Sequence, residues 1–147
     1  MTGSAPVALG SSAMAGVFNV AADQGSTFLW TVTWTQPPTV AGATFGAPVD
    51  LTGYGARMQV RSAAGAPDVE VDASTANGMI VIGSPDPSDG TININVPALI
   101  MTDMVAGSYK YDLDVYSGAA TPIVTRLVQG SFKLSAEVTV LDPSLLP

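Results

Sequence analysis

The sequence predicts an all-β fold, an antiparallel immunoglobulin-like β-sandwich of about seven to eight strands, with a barrel as the alternative. Three observations predict it. Apolar and polar residues alternate with a period of two through one segment after another. Gly, Pro, Asn or Asp closes each segment. The segments recur at roughly 8–15 residues, with neither βαβ alternation nor an internal repeat between them. The Cys–Trp–Cys hallmark of true immunoglobulin domains is missing, because the chain has no cysteine.

Val17 to Ala22 is a first short strand. Thr27 to Thr35 has the clearest pattern: Phe28, Trp30, Val32 and Trp34 point one way, and Thr31, Thr33 and Thr35 the other. Gln36-Pro37-Pro38 stops it. Tyr54 to Arg61 follows, with Ala56, Met58 and Val60 inward and Arg57, Gln59 and Arg61 outward. Val69 and Val71 interleave with Asp68, Glu70 and Asp72 in the next strand. Asn77-Gly78 is a turn that leads into Met79 to Ile82, a short buried strand. Ser84 to Gly90 reads as an exposed loop, and Thr91 to Val96 alternates again. Pro97 suits a first helical turn, so Pro97 to Met104 is expected to be helical. Tyr109 to Val115 alternates apolar with Lys110, Asp112 and Asp114. Ile123 to Leu134 runs through Gly130, a candidate bulge, and Val138 to Leu141 is expected to end the fold.

The ends differ from the middle. Residues 1–16 are almost all Ala, Gly, Ser, Val and Met with few bulky groups, and are expected to form an extended N-terminal arm. Residues 17–140 form the sandwich domain, and 141–147 an apolar, Pro-broken C-terminal tail. Unanchored termini fray, so both ends need something to hold them. The domain's own surface is one possibility. A neighbouring subunit, gripping Val7, Leu9, Met14, Leu141, Leu145 and Leu146, is the favoured one.

Composition narrows the function. The chain has 147 residues, enough for one domain with one core. Apolar residues make up 47% and the mean hydropathy is +0.36. Charged residues make up 12%, about half the usual ~25%, as expected where much of the surface is covered by neighbours. The net charge is −7, with five basic residues: Arg57, Arg61, Lys110, Arg126 and Lys133. So few cations predict neither a nucleic-acid stripe nor adhesion to anionic membranes. No window approaches the ~18 apolar residues of a membrane span. The N-terminus lacks the basic and apolar regions of a signal peptide.

Cysteine and histidine are both absent. That removes disulfides, thiolate chemistry, imidazole ligands and the usual general base. There is no G-x-S-x-G elbow, P-loop or dinucleotide fingerprint. Neither a catalytic residue nor a cofactor or metal site is predicted. Asp112 and Asp114 share an outer strand face, as do Asp68, Glu70 and Asp72, and both sets read as solvated polar faces. Asp86 and Asp89 bring too few oxygens for a calcium loop, which needs six or more. Trp30, Trp34 and Phe28 would make an aromatic sugar platform if exposed, but sharing a face with Val32 favours the core.

Three stretches together carry a resemblance. They are Asp23-Gln24-Gly25-Ser26-Thr27-Phe28 running into Trp34; Pro48-Val49-Asp50-Leu51-Thr52-Gly53-Tyr54-Gly55-Ala56-Arg57-Met58-Gln59-Val60-Arg61; and Ala106-Gly107-Ser108-Tyr109-Lys110-Tyr111-Asp112-Leu113 followed by Val124-Thr125-Arg126-Leu127 and Gly130. This succession resembles the β-sandwich virion proteins of tailed bacteriophages, in particular the family of tail collar and long-tail-fibre attachment proteins. It spans residues 18–137. The resemblance implies a non-enzymatic, multi-copy structural subunit of the virion, assembled in the host cytoplasm. Its implied partners are copies of itself and other tail, fibre or capsid proteins. Capsid decoration is the alternative, and a carbohydrate-binding or adhesin module is a rival of another class. Arg57 and Arg61 are expected to meet Asp112 or Asp114 across a strand pair. Asp50 or Thr52 is expected to accept backbone N–H bonds in the turn at Gly53.

Overall fold

Alternation becomes two facing sheets in the computed structural model, which describes the backbone of residues 2–8 and residues 16–37, 39–42, 46–83, 86–140 and 144. Ten strands appear: β1 (Thr2–Ala8), β2 (Gly16–Val17), β3 (Val20–Asp23), β4 (Phe28–Thr35), β5 (Gly55–Arg61), β6 (Val71–Ser74), β7 (Ile80–Ile82), β8 (Thr91–Val96), β9 (Gly107–Tyr116) and β10 (Val124–Ser135). A single helix among the described residues, α1 (Ala98–Asp103), links β8 to β9, as Pro97 predicts. It is too short to cross a membrane.

The first sheet has the order β1-β4-β8-β7. In the second, β10, β9, β5 and β6 are neighbours, and β2 and β3 both pair with β10. The two sheets are mixed and not wholly antiparallel, which corrects the sequence reading. β1 runs parallel to β4, and β2 and β3 run parallel to β10. The backbone of residues 2–8, within the segment expected as an arm, pairs with β4 of the same chain. Leu9, Met14, Leu141, Leu145 and Leu146 lie outside the described residues, as does the Val7 side chain.

Between the sheets lies one core. Trp30, Val32, Ile92, Ile94 and Val96 come from the first sheet; Met58, Val60, Leu113, Val115, Phe132 and Leu134 come from the second. Aromatic rings bridge them. Phe28 meets Phe132 edge-on at 5.2 Å, and Trp30 meets Tyr111 at 5.7 Å. Tyr111 Oη donates to the Phe18 carbonyl at 2.6 Å, tying the β2–β3 link to β9.

Two details depart from the alternation. The register of β10 against β9 shifts between Arg126 and Val128, so the bulge residue is Leu127. Leu127 and Val128 are consequently buried side by side. Gly130, the expected bulge, has another role: a Cβ there would lie 2.3 Å from the Phe18 carbonyl oxygen, where the edge strand bows over β10. Val138 and Val140 are exposed and form no strand, so the expected terminal strand is absent from residues 136–140. Likewise β6 begins at Val71; Asp68, Val69 and Glu70 precede it on the surface.

Candidate functional site

The outer face of the second sheet gathers the cations. In β5, β9 and β10 the inward positions are taken by core residues, which turns Arg57, Arg61, Lys110, Arg126 and Lys133 outward. Simple alternation would not achieve this. Arg126 and Lys133 are an odd number of residues apart on one strand, so an unbroken β10 would place them on opposite faces. The bulge at Leu127 reverses the parity and brings Arg126 to the same side.

Cross-strand register arranges the face in three rungs. The first is Arg57–Asp114–Arg126, the second Gln59–Asp112–Gln129, and the third Arg61–Lys110–Ser131. Within the first two, charge is matched. Arg57 turns to Asp72 of β6 and binds it through two bonds, Nη2–Oδ2 at 2.7 Å and Nε–Oδ1 at 2.9 Å. Arg126 Nε lies 3.4 Å from Asp112 and 3.6 Å from Asp114. Arg57 is opposite Asp114 in register, as expected, but its ion pair is with Asp72 of β6 instead. Arg61 donates to the Ala66 carbonyl at 2.5 Å and to Gln59 Oε1 at 2.9 Å.

The carboxylates respond to these partners. Hydrogen bonding to Arg57 holds the Asp72 carboxyl below the ordinary range. Asp114 moves the other way: burial pushes it up, Asp112 adds to the rise, and Arg126 opposes it. Asp112 and Asp114 do share an outer face, beside Arg126. Among the described residues there is no group of three or more metal-ligating side chains.

Between the rungs runs a groove of about 520 Å³. Gln59, Arg61, Lys110, Asp112, Arg126 and Gln129 form its floor and rim, with the turn at Ala63–Gly65 at one end and exposed Val17 on the flank. Sequence reasoning identified Gln59, Arg61, Lys110 and Asp112 as outward-facing and set Arg61 against Asp112 or Asp114, whereas the residue opposite it is Lys110; it assigned no face to Arg126 or Gln129.

The other candidates fall elsewhere. Trp30 and Trp34 are 3% and 5% exposed, so they belong to the core and offer no platform to a sugar. Asp86 caps a 3-10 turn at Pro87–Asp89, its Oδ1 accepting from Ser88 N at 3.0 Å and Ser88 Oγ at 2.9 Å. Asp50 Oδ1 accepts from Thr52 N and Oγ, as the turn at Gly53 predicts, and these bonds lower its pKa.

No family model matches the chain, and no curated protein matches it. Solved structures do. The N-terminal domain of phage TP901-1 ORF48 superposes with a TM-score of 0.50 at 12% identity, covering 92% of this chain and 99% of that one. The fold is that of a phage protein domain. The likeness runs nearly end to end in both chains, so the two-sheet architecture as a whole is shared.

Proposed function

We propose that the chain is a non-enzymatic structural subunit of a tailed-phage virion, of the tail collar, fibre-attachment or baseplate type, present in several copies. The observation that carries this reading is the fold shared along 92% of the chain with a domain of a phage protein. The resemblance of residues 18–137 to the tail collar and fibre-attachment family supports it from the sequence side. A polar groove whose titratable groups are Arg, Lys, Asp and Tyr fits recognition better than catalysis, because no group there titrates near neutral pH unperturbed. On this reading its partners are copies of itself and adjoining virion proteins.

The strand order is also read as immunoglobulin-like. The orders β1-β4-β8-β7 and β10-β9-β5-β6 follow the A-B-E-D and G-F-C-C′ plan of those sandwiches. The parallel pairing of β1 with β4 is the departure.

Peptide mass spectrometry of purified particles tests the reading. The chain is expected among the virion proteins at a copy number typical of a tail ring or fibre. A copy number of hundreds would move it to the capsid shell, and its absence from particles would overturn the proposal.

A further inference from the structure

The third rung of the charged face breaks a local rule. Arg61 and Lys110 are directly opposite each other on antiparallel strands, where like charges repel. Neither makes an ion pair with a carboxylate among the described residues. Yet the chain carries twelve acidic residues against five basic ones. Asp68 and Glu70 stand on the adjoining connection, and Arg61 still turns to a carbonyl and an amide. A like-charge pair left open at the rim of a groove, in an acidic chain, is an acceptor for carboxylates brought from outside.

The opposite end of the sandwich has the complementary chemistry. β5 runs from Gly55 to Arg61, and Gly55 pairs with Tyr116, so the turns before β5 lie at the far end from the Arg61–Lys110 rung. There Leu51 N donates to the Pro87 carbonyl at 3.1 Å, joining the Asp50 turn to the Asp86–Asp89 turn. All three aspartates are exposed. Asp50 and Asp86 are each fixed by two bonds through Oδ1, while Oδ2 makes none among the described residues. None of the five cations forms an ion pair with this end. The molecule thus carries exposed carboxylates at one end, two of them fixed by hydrogen bonds, and near the other a cation pair that makes no ion pair among the described residues.

We propose that the groove receives a second copy of this chain, whose Asp50–Asp86–Asp89 end supplies carboxylates to Arg61 and Lys110. The contact joins two different surfaces, so it repeats head to tail and closes into a ring where the rotation permits. The inference deepens the multi-copy subunit reading and rests on it. Charge sets the register and orientation of the contact.

Sedimentation of the full chain tests it. At low salt the wild type is expected to associate reversibly. At ~1 M salt, where the Debye length is only about 3 Å, it is expected to shift towards monomer. Arg61→Glu/Lys110→Glu and Asp50→Lys/Asp86→Lys/Asp89→Lys should each weaken self-association at least tenfold. Mixed together, the two variants should form a complex, because the intact acidic end of the first meets the intact groove of the second and the reversed groove meets a reversed end. Both variants remain net negative, so bulk attraction does not account for that rescue. Lys110→Glu alone controls for folding: facing Arg61, it should leave the melting temperature unchanged or raise it while weakening association.

A wild type that stays monomeric at low salt, reversals that leave association unchanged, or a mixture of folded variants that fails to associate would each overturn the proposal. So would a groove that binds inorganic phosphate with no effect on association. A chain that is found in particles yet is monomeric defeats this inference alone. A chain that associates as described but is absent from particles defeats the virion reading.

Discussion

The two outer faces of the sandwich are built by the same alternation and carry opposite chemistry. On the first sheet, Leu29, Thr31 and Thr33 of β4, Thr91, Asn93 and Asn95 of β8, and Val81 of β7 face outward, and none is ionisable. Thr31 Oγ1 donates to Asn93 Oδ1 at 3.0 Å, and Asn93 Nδ2 reaches the Val81 carbonyl at 3.4 Å. On the second sheet all five cations stand together with Asp23, Asp72, Asp112 and Asp114. The inner faces, by contrast, are interchangeable in kind: Val, Ile, Leu, Met and aromatics on both. Burial fixes the inward positions and says nothing about the outward ones, which leaves each outer face free to carry its own partner chemistry. In a chain with 12% charged residues, that freedom has been used on one face.

Removing the bulge residue has the largest expected effect, and it separates the chemistry of the face from the packing beneath it. Deleting Leu127 leaves Arg126 and Lys133 six residues apart, so strict alternation keeps them on one face, while a fully buried leucine is lost from the core. The expected loss is about 4–5 kcal/mol, read as a lowered urea midpoint. A change below about 1 kcal/mol would mean the bulge residue contributes little to the core. Phe132→Ala comes next. It empties the contact with Phe28 between the sheets, costs about 3–5 kcal/mol and should loosen both faces equally in hydrogen exchange. Gly130→Ala is local. Its methyl meets the Phe18 carbonyl, and a cost of about 1–3 kcal/mol should appear as faster amide exchange in β3 but not in β8.

The smaller effects concern charge. Lys110→Glu replaces a like-charge rung with an opposite pair and should stabilise the isolated domain by about 0.2–1 kcal/mol. Asp114→Asn should give a smaller gain at neutral pH, since about a third of that side chain is exposed and solvent screens it. Its sign follows from linkage. The folded chain binds the Asp114 proton more tightly than the unfolded chain, whose value is near 3.8. Stability therefore falls as pH rises from there through the raised folded value. Asp72 contributes the opposite slope: its stabilisation is present above its ordinary value and is lost as pH falls through the lowered folded one. Melting temperatures between pH 3 and 7 should show the falling limb disappear in Asp114→Asn. They should show the acid-side loss weaken in Asp72→Asn.

Strands with a buried face were legible, because burial writes itself as alternation. β8 has the predicted bounds, Thr91–Val96; β4 starts one residue later than the reading and ends where it does, and β9 extends beyond it by two residues at the start and one at the end. β1 was not legible: Thr2–Ala8 has small side chains and no period, and what holds it is backbone pairing, which no residue type announces. The terminal strand at Val138 failed for the converse reason, since two β-branched residues there meet no partner. For the candidate face, the sequence showed that Arg57, Arg61 and Lys110 point outward. Arg61, expected beside Asp112 or Asp114, instead faces Lys110. Which strands are neighbours is a long-range property, and one extra residue at Leu127 decides the side on which Arg126 emerges.

Immunogold labelling of intact particles with an antibody raised against the folded chain tests the central claim most directly. A virion subunit of the tail type predicts label confined to the neck, tail tip or fibre base, repeated about the tail axis. Label spread over the capsid, or particles that carry none, would contradict it.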